Sequence, residues 1–124
     1  MMMPCPWALE AGKYAREHPT ADLGVHLTLT CEWDTYRWGP ISTRDPASGL
    51  LDEEGFFPRK SHLVQETADP QAARIELEAQ ITRARAIGIP VTHLDTHMGS
   101  ILHPKLLTHY LELGVGLRTP LMVY

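Results

Sequence analysis

The sequence predicts an α/β fold, with buried parallel strands covered by helices. Three observations carry that expectation. Two short runs rich in leucine and β-branched residues, "DLGVHLTLT" at 22–30 and "PVTHLDT" at 90–96, have the composition of buried strands. A helix signal precedes each run, at 7–17 and at 68–88, and a third helix signal follows at 103–114. The resulting order is helix, strand, long loop, helix, strand, helix, with room for a last strand, and such alternation builds a parallel sheet beneath helices.

The first helix runs from Trp7 to about Glu17, opens after Pro6 and is ended by Pro19, with Ala8, Leu9, Ala11, Tyr14 and Ala15 forming its apolar face. In the strand that follows, the pleat turns Val25, Leu27 and Leu29 one way and His26, Thr28 and Thr30 the other, so His26 heads a polar face. Residues 31 to about 68 hold Pro40, Pro46 and Pro58 and the aromatic clusters "EWDTYRWGP" and "GFFPR". A structureless connection of that length is uncommon inside a compact domain and more often forms a binding loop or lid.

In "ADPQAARIELEAQITRARAIGIP", Asp69 caps, Pro70 takes the first helical position and Gly88 closes the run before Pro90. Ala73, Leu77, Ile81 and Ala84 recur at helical spacing and face the core. After the second strand, "HPKLLTHYLELG" reads as a helix with Leu106, Leu107, Tyr110 and Leu111 inward, closed by Gly114. The final "VGLRTPLMVY" leaves room for a third strand.

At 124 residues the chain has the size of one domain. With 44% apolar and 21% charged residues and no eighteen-residue apolar run, it reads as a water-soluble protein without a membrane partner. A net charge of -4, with the basic residues scattered, argues against a nucleic-acid partner and fits a neutral or small substrate. The opening lacks the basic and apolar regions of a signal peptide, and Cys5 and Cys31 are too few for a disulfide framework or zinc ribbon. Free thiols in a reducing cytoplasm are the expectation.

Histidines among strand residues are the chemical signal. Sites in α/β folds gather beyond the carboxyl ends of the strands, and His26 and His97 both lie near that end of their runs. Neutral imidazoles from neighbouring strands can share a metal ion, and Asp95, two residues before His97, is a candidate to orient an imidazole, to bind metal or to act as a catalytic base. The alternative is that both are hydrogen-bonded strand histidines without a ligand. His93, His103 and His109 are expected to be structural, with His103 at a helix start and His109 facing solvent; His18 and His62 have no evident partner.

Taken in order, "MMPCPWALEAGKYAREHP", "DLGVHLTLT" with "EWDTYRWGP", "GFFPR" and "PVTHLDTHMGSILHP" resemble successive segments of the YdjC-like carbohydrate deacetylases, over nearly the whole chain. The resemblance implies a partial, deformed (β/α) barrel of the polysaccharide-deacetylase type, holding one divalent metal, magnesium or zinc, through an aspartate and two histidines. It implies removal of acetyl from an N-acetylated amino sugar. By position, the histidine of the "GVHLTL" motif is His26 and that of the "LDTH" motif is His97. Trp33, Trp38, Phe56 and Phe57 become candidate platforms for the apolar faces of sugar rings, and Arg59 a candidate donor to a hydroxyl or acetyl oxygen.

The chain departs from the family pattern in two respects. Family members begin with a strand ending in paired aspartates, which supply the third ligand and the presumed base, and this sequence starts beyond that place. Many members also carry a further histidine where Gly99 stands. A (β/α) barrel takes roughly 250 residues, so residues 1–124 are expected to form one incomplete domain that covers its open edges by homo-oligomerisation. A second expectation follows: a catalytically inactive fragment that keeps weak metal or sugar binding.

Overall fold

The computed structural model describes residues 1–123. Four helices flank a parallel pair of short strands: α1 (Ala8–Glu17), β1 (Val25–Leu27), α2 (Ser61–Thr67), α3 (Pro70–Ala86), β2 (Leu94–Thr96) and α4 (Pro104–Leu117). Short 3-10 segments occupy Pro46–Ser48 and His97–Leu102. The strands pair in the register Val25 to Leu94, His26 to Asp95 and Leu27 to Thr96. Further main chain extends the layer on both sides. Beyond β1, the Met1 ammonium donates to Gly24 O at 2.8 Å and the His26 amide to Met1 O at 2.8 Å, the pattern of a parallel pair. Beyond β2, Leu121 makes a single parallel bridge to Leu94.

Helix α3 forms where its caps predict: the Asp69 carboxylate accepts the Ala72 amide at 2.7 Å, Pro70 needs no donor, and Gly88 takes a φ of 96° just past the end. Its inner face buries Ala73, Leu77, Ile81 and Ala84 as expected, and also Glu76 and Gln80. The expected polar strand face is corrected as well. Thr28 and Thr30 are fully buried beside β1, and their polar groups find interior partners: Gln80 accepts the Thr28 amide at 3.0 Å and donates to the Thr28 carbonyl at 2.8 Å, the Thr28 hydroxyl donates to His26 O at 2.6 Å, and Trp38 Nε1 donates to Thr30 O at 2.9 Å.

Several elements differ from expectation. Only three residues of each predicted strand are paired. The third strand reduces to the Leu121 bridge; Tyr124, its last expected member, lies outside the described residues. On α1, Leu9 and Tyr14 are exposed, and the buried face is Ala8, Gly12 and Ala15. A Cβ at Gly12 would lie 2.5 Å from the Ile87 carbonyl oxygen, so the glycine sets how closely α1 meets the end of α3. Helix α4 continues past Gly114 to Leu117, leaving Leu111 exposed and burying Leu113. His103 does cap α4, its Nδ1 accepting the Lys105 amide at 3.3 Å.

The long connection is ordered throughout. Helix α2 lies within it, unannounced by any side-chain cap and held from outside: Lys105 donates to the carbonyls of Gln65 and Glu66, at 3.3 and 3.0 Å, and Ser61 to Met98 O at 3.1 Å. Nearer the site, Arg37 lies almost wholly inside the loop, binding Asp52 at 2.6 Å, Glu54 at 3.0 Å and the Phe57 carbonyl at 3.2 Å, with its guanidinium over the Phe56 ring. Burial pushes the Asp52 carboxyl up, but the Phe56 amide, the Arg37 guanidinium and the Glu54 amide outweigh it and hold the group below the usual range.

A carboxyl with a depressed folded pKa contributes stability that is present above its unfolded value, about 3.9, and lost as pH falls through the folded value. Asp52→Asn should therefore lower stability at neutral pH by about 1–2 kcal/mol and flatten the loss of stability below about pH 4. Urea midpoints measured from acid to neutral pH check this; an acid limb unchanged by the substitution would contradict it.

Candidate functional site

The parallel register places His26 directly opposite Asp95, and His26 Nδ1 lies 2.8 Å from Asp95 Oδ1. Immediately after β2 the chain turns sharply through Met98 and Gly99, which adopt φ of 54° and 61°. His97 stands between that turn and the strand end. Its Nδ1 lies 3.3 Å from His26 Nε2, its Nε2 lies 2.8 Å from Glu32 Oε2, and the two rings meet edge to face at 5.3 Å. The four side chains form one line, Asp95 to His26 to His97 to Glu32.

Trp38 closes the site on another side, its indole standing edge-on to the His97 ring at 6.3 Å while Nε1 donates to Thr30 O at 2.9 Å. Burial pushes the Glu32 carboxyl up, but the hydrogen bond and charge of His97, with further hydrogen bonds, outweigh it and hold Glu32 below the usual range. Nearby, burial pushes the Cys5 thiol up to about 11, so it stays protonated at neutral pH.

Two open pockets adjoin the line. One, of about 390 Å³, is lined by Met1, Met2, Trp7, His26 and Asp95, among others; the next, of about 400 Å³, by Met2, Cys5, Trp7, Trp33, Tyr36 and Trp38. Met2, Cys5 and Trp7 belong to both, so an apolar groove leads from the His26–Asp95 pair to Trp33.

Of the residues expected from sequence, the structure brings His26, Asp95 and His97 together and sets Trp38 against them. Trp33 lines the groove and is 57% exposed. Phe57 is fully buried and presents no face to a ligand; it packs the loop onto the core, its amide bonded to Trp38 O at 3.1 Å. Phe56 lies under Arg37, away from the histidines, and Arg59 is engaged by Trp33 O at 2.9 Å and by Asp34. Glu32 and Trp7 were not expected. Glu32 follows His26 by six residues with no spacing rule to mark it, and Trp7 reads as a helix-opening residue until the groove is seen.

Fold and site together are those of an α/β protein with a histidine–carboxylate centre at the ends of parallel strands. The chain belongs to the YdjC-like protein family, whose model matches residues 1–123. It is 36% identical over 116 residues to a carbohydrate deacetylase of Thermus thermophilus, covering 94% of this chain and 42% of the relative, and 39% identical over 107 residues to one of Brevibacillus brevis, covering 86% and 39%. A crystal structure of a provisionally named cellobiose-phosphate cleavage protein of Enterococcus faecalis superposes with a TM-score of 0.77 at 32% identity, over 96% of this chain and 45% of that one. The chain spans less than half the length of these relatives. Among the described residues, no helix is long and apolar enough to cross a membrane.

Proposed function

We propose that the chain carries the two-histidine part of a metal-dependent carbohydrate deacetylase site, on a segment of a deformed (β/α) barrel, and acts on the acetamido group of an N-acetylated sugar. The observation that supports this best is the pair His26 Nε2 and His97 Nδ1, 3.3 Å apart at the strand ends. At a metal–nitrogen distance of about 2.0–2.1 Å, two donors on a single ion stand about 3.0–3.4 Å apart. The pair therefore fits a shared ion, and imidazole donors favour zinc over magnesium. Among the described residues no cluster of three or more His, Cys, Asp and Glu side chains is placed to hold an ion, so these two imidazoles are the protein donors in view.

A divalent ion held there would polarise an acetyl carbonyl and lower the pKa of a nearby water. The chain's own residues do the rest. Asp95 Oδ1, 2.8 Å from His26 Nδ1, favours the proton on that nitrogen by its charge and so the tautomer whose Nε2 is free to bind; this supports an orienting role for Asp95 in place of a catalytic base. Trp38 fixes the plane of His97 from the side. Trp33 and Trp7, 57% and 67% exposed, offer indole faces along the groove on which a pyranose ring can stack.

Acetate released from N,N′-diacetylated chitobiose, with one equivalent of zinc and with chelator, tests the reading. Zinc-dependent acetate release is expected. No release by chain shown to hold zinc would overturn it.

A further inference from the structure

We propose that Glu32 is a positioning residue for the histidine pair: by accepting the Nε2 proton of His97 it fixes the tautomer that leaves Nδ1 bare and facing His26 Nε2. An ionised carboxylate only accepts, so at 2.8 Å from His97 Nε2 the shared proton belongs to that ring nitrogen. A neutral imidazole carries one N–H, so Nδ1 of His97 is then a lone pair. On the other side, the Asp95 carboxylate lies 2.8 Å from His26 Nδ1, and its charge favours the proton on that nitrogen. The remaining nitrogens, His26 Nε2 and His97 Nδ1, thus present two lone pairs to each other at 3.3 Å. Two acceptors at that distance repel unless a cation lies between them.

The surroundings leave Glu32 little competition for this role. The Trp38 indole N–H, beside the His97 ring, is already given to Thr30 O. The residue before Glu32 is anchored, since Cys31 is fully buried and its amide donates to Pro58 O at 2.9 Å. Glu32 is therefore delivered to His97 by main chain fixed independently of the histidines. Two carboxylates at the outer ends of an imidazole pair, one on the β2 strand and one just beyond β1, make a symmetric clamp that sequence spacing does not reveal.

This inference uses the metal reading only for what the lone pairs serve, and the experiment separates the two. In the metal-free chain near pH 8.5, well above the imidazole range of about 6.5, nitrogen–proton correlation spectra report the tautomer of each ring. His97 is expected as the Nε2–H form in the unsubstituted chain and as a mixture with Nδ1–H in Glu32→Ala. Zinc affinity by calorimetry should fall about 10- to 100-fold in Glu32→Ala and stay near the unsubstituted value in Glu32→Gln, whose amide oxygen still accepts. Because 37% of the Glu32 side chain is exposed, both variants should melt close to the parent, which excludes unfolding as the cause. A His97 that is Nδ1–H in the parent, or a tautomer and affinity both unmoved in Glu32→Ala, would overturn the proposal. A tautomer that moves as expected in a chain that binds no zinc would uphold Glu32 and overturn the metal reading alone.

Discussion

Glu76→Ala is expected to destabilise the chain by about 3–5 kcal/mol, more than any substitution on its surface. Glu76 has no exposed surface, and its two oxygens accept the amides of Ile41, at 3.0 and 3.2 Å, and Ser42, at 2.8 Å, the Ser42 hydroxyl at 2.5 Å and Gln80 Nε2 at 2.8 Å. Alanine would orphan those donors, the Gln80 amide in the interior and the Ile41 and Ser42 groups half-buried beside it, and each buried unpaired group costs about 1–3 kcal/mol. The damage would travel, since Gln80 holds both main-chain groups of Thr28, two residues beyond His26. Urea unfolding measures it. A loss under about 1 kcal/mol would mean that the loop at 41–42 is held by something other than this carboxylate.

His26→Ala and His97→Ala are each expected to weaken zinc binding at least about 100-fold, with the double variant scarcely worse than either single one. Two ligands of one ion act as a unit, so their losses do not add. His97 is the less disruptive to remove, because it lies past the strand end, whereas His26 sits within β1 between Met1 and Asp95. Calorimetric titration of the three variants checks this. Losses that add in the double variant would place the histidines on separate sites.

The predictions differ in how legible their residues were. Helix α3 declared itself because Asp69, Pro70 and Gly88 act locally, each through its own backbone geometry. The histidine pair was legible through the two motifs, and its distance through the parallel register that follows from alternating helices and strands. What escaped was whatever depends on partners distant in sequence. Glu76 and Gln80 look like the polar side of an amphipathic helix until the loop at 41–42 donates to one and the Thr28 main chain pairs with the other. Helix α2 has no cap of its own and borrows Lys105 from α4. Phe57 and Trp33 belong to the same aromatic-rich loop, yet one is core and the other groove wall, a difference made by the fold of residues 37–57 around Arg37. Glu32 meets His97 across 65 residues of sequence, a contact that no local pattern announces.

The central claim is that His26 and His97 hold the same ion, and zinc K-edge absorption of the chain loaded with one equivalent of zinc tests it most directly. Two imidazole nitrogens per zinc at about 2.0–2.1 Å are predicted, falling to one in His97→Ala. A spectrum with one imidazole or none in the unsubstituted chain, or one unchanged by the substitution, would contradict the account.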